Sequence, residues 1–314
     1  MRDRTALFAM SGVAVASVVL ASWCGISLQA RLAGQGHMPV TRTGSVVVWD
    51  KAAELLGTGV LNAAGNAWVE SVSCASPGDC VAGGFYRDRD NHSQSFLASE
   101  VDGRWRRAQQ VPGTAALNKG GRSTVIAVAC PAAGYCSAVG TYVDGRRHSQ
   151  DFAVTEWAGR WRAAAQIPGT ALLNAGDFGR IESLSCPAAG DCTAVGDYAD
   201  RGDQVEEFAV SSTQGRWGKA APLPGLAALN VYGYVEVGPV ACASSGNCSA
   251  VGAFQARPGK FEAFVATQTD GRWQAPERVR GLASLGAGSN ELGAISCAEP
   301  GNCSAAGTYS DRSY

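Results

Sequence analysis

Apolar residues in this chain fall in short alternating runs, not at helical spacing, and the runs return at a fixed interval. Residues 124–174 show one complete round. A β-rich stretch ends at Cys130, and the chain turns between Pro131 and Tyr135. Residues 137–142 (SAVGTY) resume the alternation, Asp144-Gly145 turn it, and residues 151–157 (DFAVTEW) supply a third strand. Ala158-Gly159 turn the chain once more, residues 160–168 supply a fourth strand, and Pro168-Gly169 close the unit. Short period-2 runs bounded by Gly, Pro and Asp predict strands in an antiparallel sheet.

The interval is marked by two residue types. Trp49, Trp105, Trp161, Trp217 and Trp273 lie 56 residues apart. The pairs Cys74/Cys80, Cys130/Cys136, Cys186/Cys192, Cys242/Cys248 and Cys297/Cys303 run in step, at intervals of 56, 56, 56 and 55. Self-similarity at such a period predicts a repeat architecture. Within the first strand, Val72, Val128, Leu184, Val240 and Ile295 are equivalent apolar positions flanked by small residues, which suits an innermost strand crowded near an axis. Pro239 predicts a local irregularity in its unit. The tryptophans, mostly preceded by Gly-Arg, are expected to pack between sheets.

The termini predict closure. Residues 37–62 match the latter half of a repeat, and the chain ends after one more cysteine-bearing half. The expected fold is all-β, a five-bladed β-propeller of four-stranded blades in which the terminal halves form a composite blade. The strand expected near residues 38–42 is the weakest. Residues 1–30, with Arg2 and Arg4 before an uncharged run, read as a signal peptide or membrane anchor. Residues 31–37 read as a linker and 38–314 as the propeller.

Export makes disulfides the natural use of ten evenly paired cysteines. Each pair is expected to staple its own hairpin across the turn. A closed loop of about seven residues contributes roughly 2–3 kcal/mol on the chain-entropy estimate. Structural zinc would need further ligands, and only three histidines occur. No metal and no cofactor is expected. Asn91-His92-Ser93, Asn247-Cys248-Ser249 and Asn302-Cys303-Ser304 spell glycosylation sequons, which matter only in a glycosylating host. A net charge of -1 gives no global attraction for nucleic acid, so the membrane would be met only through an uncleaved N-terminal segment.

Residues Ser183, Ser185, Cys186, Cys192, Ala194, Val195, Gly196 and Tyr198, then Phe208, Gly215, Trp217 and Pro224-Gly225, spell a recurring motif. It resembles the repeats of a group of secreted actinobacterial proteins. The resemblance spans roughly residues 38–314 and implies a secreted or surface β-propeller-like protein; it carries no catalytic residues.

Candidate chemistry is sparse. Glu70, Glu182 and Glu236 stand near the start of the first strand, and Glu70 and Glu182 match in the repeat. Two such carboxylates could serve a glycosidase. Trp68, Phe178, Tyr232 and Tyr234 interrupt the variable loops after Leu-Asn and could stack on a sugar or grip a peptide. These features favour a non-catalytic binding or scaffolding module at the cell surface, for a glycan, peptide or envelope component. The alternatives are a carbohydrate-active enzyme with paired carboxylates in the axial pocket, or a purely structural envelope protein.

Overall fold

A computed structural model describes residues 4–6, 54–282 and 288–310. The protein is a five-bladed β-propeller. Strand β1 (Arg4–Ala6) precedes the blades in sequence. The first blade holds β2 (Ala67–Ser76), β3 (Asp79–Arg87), β4 (Ser93–Val101), β5 (Arg104–Trp105) and β6 (Gln109–Gln110). The second holds β7 (Ser123–Ala132), β8 (Tyr135–Val143), β9 (Ser149–Trp157), β10 (Arg160–Trp161) and β11 (Ala165–Gln166). The third holds β12 (Gly179–Ala188), β13 (Asp191–Ala199), β14 (Val205–Thr213), β15 (Arg216–Trp217) and β16 (Ala221–Pro222). The fourth holds β17 (Val235–Ser244), β18 (Asn247–Arg257), β19 (Lys260–Thr269), β20 (Arg272–Trp273) and β21 (Glu277–Arg278). The fifth holds β22 (Asn290–Glu299) and β23 (Asn302–Tyr309). All pairings are antiparallel, in meander order within each blade.

The outermost strand is two short pieces, not one continuous run. In the second blade β10 and β11 both pair with β9. Between them the chain leaves the ladder because Ala164 donates its amide to the Pro112 carbonyl at 2.7 Å. Ala108 and Ala220 do the same to Leu56 and Pro168. Each outer edge is thereby tied to the segment that begins the blade. That segment also carries a helical turn, which the alternation did not predict. Gly113 and Gly169 adopt φ of 85° and 92° before Thr114–Leu117 and Thr170–Leu173, a left-handed conformation that suits glycine. The Asn ending each turn clamps it: the Asn118, Asn174 and Asn230 amides donate to the Ser93, Ser149 and Val205 carbonyls.

Every innermost pair contains a one-residue bulge, at Glu70, Ile126, Glu182 and Gly293 and, in the fourth blade, at Gly238-Pro239. The irregularity expected from Pro239 is therefore common to all blades, and proline occupies a position where the ladder is already broken. The small residues of the innermost strand join blades together. Ser71 and Ser73 accept the Val128 and Cys130 amides, and Ser183 and Ser185 accept those of Val240 and Cys242. The glycine of each Ala-Val-Gly lets two strands and a phenylalanine meet. A Cβ on Gly196 would collide with the Arg180 carbonyl and the Phe208 ring. Phe96, Phe152, Phe208 and Phe264 are the buried centre of their blades.

The five cysteine pairs are disulfides: Cys74–Cys80, Cys130–Cys136, Cys186–Cys192, Cys242–Cys248 and Cys297–Cys303, each bridging its hairpin with Cα atoms 3.9–4.1 Å apart. They fit an oxidising environment outside the cytoplasm. Each bridge staples its own hairpin, as expected, and two of them, at Cys248 and Cys303, also reach the neighbouring blade. Cys248 Sγ lies 3.5 Å from the Thr193 hydroxyl of the third blade, and Cys303 Sγ lies 3.6 Å from the Ser249 hydroxyl of the fourth. A bridged sulfur carries no proton, so in both contacts the hydroxyl donates and the sulfur accepts. These two cysteines thus tie their blades to the preceding one as well as closing a hairpin. Both also sit inside sequons, at the start of β18 and β23. There the Asn247 amide donates to the Ser244 hydroxyl within the turn, which is a structural use of that side chain.

Trp161, Trp217 and Trp273 are partly buried against apolar clusters that span two blades, and Trp105 against a cluster within the first. Trp49 lies outside the described residues. The seam between blades one and five does not repeat the packing of the other seams among the described residues. Val72 is 59% exposed, whereas Val128, its counterpart one blade later, is 7% exposed. Among the described residues, the face of β2 that would meet the fifth blade is uncovered. The third strand of the fifth blade is β1, paired with β23 from Arg4↔Tyr309 to Ala6↔Gly307. Residues 38–42, expected there, lie outside the described residues, as do residues 7–37. No helix among the described residues is long and apolar enough to cross a membrane.

Candidate functional site: an acidic junction between blades

In every blade a straight row of three positions crosses the inner strands. In the first blade it reads Trp68, Phe85, Ser95. In the second it reads Thr124, Thr141, Asp151. In the fourth it reads Glu236, Ala253, Ala263. The third blade alone among these places three charges in the row: Arg180, Asp197, Glu207. Directly opposed residues of an antiparallel pair put their side chains on one face within contact distance. That face meets the next blade, because Asp197 accepts the Val237 amide at 3.2 Å through Oδ1. Asp151 makes the equivalent contact one blade earlier, accepting the Ile181 amide at 2.9 Å.

Glu182 is the bulge residue of β12. The bulge adds a residue to one strand and re-aims its side chain. Glu182 thereby turns back on Arg180, whose Nε lies 2.9 Å from Oε1. Glu236 of the fourth blade acts electrostatically on both Glu182 and Asp197. Glu182 and Asp197 thus both feel the Arg180 guanidinium, while Asp151 and Glu236, from the blades on either side, act on Asp197 or Glu182.

Burial governs the ionisation of Asp151, Glu182 and Asp197. It pushes Glu182 up to about 7; Arg180 opposes this and Glu236 adds to it. Asp197 rises to about 8, through burial first, with Glu182 and Glu236 adding to it against the Val237 amide and Arg180. Asp151 rises to about 7, again through burial, with Glu182 adding to it against the Ile181 amide. Glu207 lies well above the usual carboxylate range because burial and the Asp197 charge both disfavour its ionised form. The ion pair with Arg180 would by itself keep Glu182 ionised. Desolvation outweighs it, which leaves the side chain poised to hold or release a proton near neutrality.

The candidates read from the sequence divide here. Glu182 and Glu236 are brought together. Glu70, on the exposed bulge of the first blade, adjoins a row that holds Phe85 and Ser95 and no acid. Phe178 and Tyr234 stand two residues before Arg180 and Glu236, both exposed. The Tyr234 phenol is raised by burial first and then by the charges of Glu236 and Asp197, which places it beside the cluster. Its ring meets Phe261 edge-on at 5.6 Å. Tyr232 is exposed on the same loop, and Trp68 is 62% exposed in the first-blade row. Asp151, Asp197 and Glu207 escaped the sequence reading. Their signal was an acid at repeat positions that hold Ser95 and Ala263, or Phe85, Thr141 and Ala253, in other units.

Two other places hold charged groups. A groove of about 440 Å³ lies between blades one and two at the opposite end, near Asp79, Gly134, Glu156 and Trp161. Its buried carboxyl, Glu156, accepts the Cys136 amide. Asp88, Asp90 and His92 bring possible ligand atoms within 4.8 Å of one another. There Asp88 accepts the Asp90 and His92 amides, and Asp144 and Asp200 build the same turn in later blades. The geometry is that of a repeated hairpin tip.

No protein-family model matches the chain, and no curated protein is similar to it. Solved structures share the blade architecture. A Hadza microbial sialidase is similar at 12% identity and a TM-score of 0.41, over 65% of this chain and 45% of that one. A puromycin-hydrolysing peptidase of Mycobacterium tuberculosis is similar at 15% and 0.44, over 76% and 35%. A thermostable family-43 glycoside hydrolase is similar at 8% and 0.41, over 82% and 93%. The chain spans less than half the length of the first two proteins. Similar structures also include GH62 arabinofuranosidases and a fucoside-bound lectin of Aleuria aurantia. This finding runs against two expectations, that the protein is a non-catalytic binding module and that it is more likely not an enzyme. The acid junction supplies the physical reason: a binding rim does not require several desolvated carboxyl groups, which are costly to bury.

Proposed function

We propose that the protein is a carbohydrate-active enzyme of glycosidase type, working at the junction of blades three and four. The observation that carries this reading is the convergence of Glu182 and Glu236 beside the Arg180–Asp197–Glu207 row. Glycoside hydrolysis needs one carboxyl group that still holds a proton at working pH and a second that is ionised. Glu182, held up to about 7, serves as the general acid toward the leaving oxygen. Glu236, exposed on the adjoining strand, serves as the carboxylate that acts on the sugar or on water. Asp197 fixes the strand that carries Glu236 through the Val237 amide. Tyr234 and Phe178 offer faces on which a pyranose or furanose ring can stack.

The protein acts outside the cytoplasm, secreted or held at the surface by its N-terminal segment, of which Arg4–Ala6 pairs with β23. The likeness of its repeats to those of secreted actinobacterial proteins supports that placement. Residues 38–314 carry the repeats of the propeller, and β1 (Arg4–Ala6) adds a strand to its fifth blade.

A panel of chromogenic neutral glycosides and plant or microbial polysaccharides tests the reading. Release from at least one substrate is expected. Glu182→Gln and Glu236→Gln should each lower kcat by about 100-fold or more, with all five disulfides intact. A folded protein that cleaves nothing in the panel, or either variant retaining full rate, overturns it.

A further inference from the structure

Glu207 is 1% exposed, and neither carboxyl oxygen has a hydrogen-bond partner among the described residues. Its counterpart one blade earlier, Asp151, spends an oxygen on the Ile181 amide. In the third blade the corresponding amide, that of Val237, is already taken by Asp197. Glu207 therefore occupies a clamp position whose partner has been claimed by its own neighbour. The two acids are directly opposed across β13 and β14. An ionised carboxylate without a donor is not tolerated in such a place. A protonated one needs an acceptor for its hydroxyl, and the group opposite is the Asp197 carboxyl.

We infer that Asp197 and Glu207 share one proton across the third blade, and that this pair is the positioning element that holds the Glu236 strand. Glu207 donates to one Asp197 oxygen while the other accepts the Val237 amide. The pair titrates as a unit: sharing favours the singly protonated state and pushes loss of the last proton far up. The charged groups facing it are Arg180 in the same row, Glu182 on β12, Glu206 beside Glu207, and Glu236 on β17. Only Arg180 is a cation. Loss of the shared proton would set two buried like charges against Glu182 and Glu236, and would loosen the junction.

Infrared difference spectroscopy tests this without any substrate. At about pH 9, Asp151 and Glu182, with values near 7, are ionised. The wild-type protein should still show a protonated-carboxyl stretch, and Glu207→Gln should lose it. Glutamine keeps a donor toward Asp197, so this variant should remain folded. Absence of the band in the wild type, or its survival in both Glu207→Gln and Asp197→Asn, overturns the inference. The inference draws on the proposed reaction only for its kinetic arm. Glu207→Gln should keep the wild-type pH profile. Glu207→Leu removes the donor, leaves Asp197 neutral beside Glu182, and should move the alkaline limb to lower pH. Identical profiles for the two variants also overturn it. A protein without glycosidase activity would remove the proposed reaction and leave the infrared result to decide.

Discussion

The junction of blades one and two and the junction of blades three and four are built from the same parts. Each has a bulged inner strand, a glycine under a phenylalanine, a disulfide at one end and an Asn clamp at the other. At the first junction the row is Trp68, Phe85, Ser95, and Ser95 bonds Ser123 of the next blade. At the second the row is Arg180, Asp197, Glu207, facing Val237 and Glu236. One junction satisfies itself with a pair of hydroxyl groups. The other buries carboxyl groups that remain protonated up to pH values of about 7 and 8. A scaffold repeated five times needs only one of its seams to carry chemistry. The others show what that seam would be if packing were the sole requirement.

The most severe test uses the two glutamates that occupy the same bulge. Glu182→Gln should lower kcat on a cleaved glycoside by about 100- to 10,000-fold, the usual contribution of a general acid. Glu70→Gln, on the first blade, should leave kcat within about twofold, because no proton-bearing partner faces it. Comparable losses in both would show that the axial channel, not the third junction, holds the chemistry.

A lesser difference should appear in stability. Asp197→Ala leaves the Val237 amide without its acceptor and Glu207 without its neighbour, while Phe208 beneath stays packed. Orphaning a buried donor costs about 1–3 kcal/mol. The corresponding change in the second blade, Thr141→Ala, orphans no such buried amide and should cost less than about 1 kcal/mol. Urea titrations of both variants check the difference.

The pH dependence of stability should follow the same seam. Asp151, Glu182 and Asp197 have folded values of about 7, 7 and 8, raised above their unfolded range. From roughly pH 4, where the unfolded carboxyl groups begin to ionise, up to these folded values, the folded state binds more protons than the unfolded one. Stability therefore falls as pH rises through this window and levels off above it. A tenfold difference in proton affinity between the two states corresponds to about 1.4 kcal/mol at most. Thermal melts across the window should show the decline in the wild type and a shallower one in Asp197→Asn. A flat wild-type curve would mean that these groups are ionised throughout.

Much of the scaffold could be read along the chain because its causes are local. Glycine turns, period-2 alternation and cysteine spacing each act within one hairpin. The split outer strand was not legible, since it depends on Ala164 reaching Pro112 in a preceding segment. The reach of Cys248 and Cys303 into the preceding blade was hidden for the same reason. The site was half legible. Glu182 and Glu236 sit on innermost strands, where loop variation draws attention. Asp197 and Glu207 sit inside strands two and three, where an acid reads as solvent-facing until the next blade is laid against it. Setting Asp197 beside Phe85, Thr141 and Ala253 turns it into an anomaly, because a buried register position tolerates a carboxyl group only with a partner.

The mildest change concerns the rim. Tyr234 and Phe178 occupy the same repeat position on adjacent blades, where the second blade carries Arg122 and the first Asn66. If sugar rings stack there, Tyr234→Ala should raise KM about 5- to 30-fold while kcat stays within about threefold, because stacking of this kind contributes roughly 1–2 kcal/mol to ground and transition state alike. Tyr234 also adjoins Glu236 and Asp197. Its removal would admit water to the cluster, lower the Glu182 value and shift the alkaline limb downward. Tyr234→Phe separates the two roles. It keeps the face and the exclusion of water while removing the hydroxyl, so KM and the pH profile should both stay near wild type. A KM effect in Tyr234→Phe equal to that in Tyr234→Ala would assign the contribution to the hydroxyl, and the stacking face would be lost from the account.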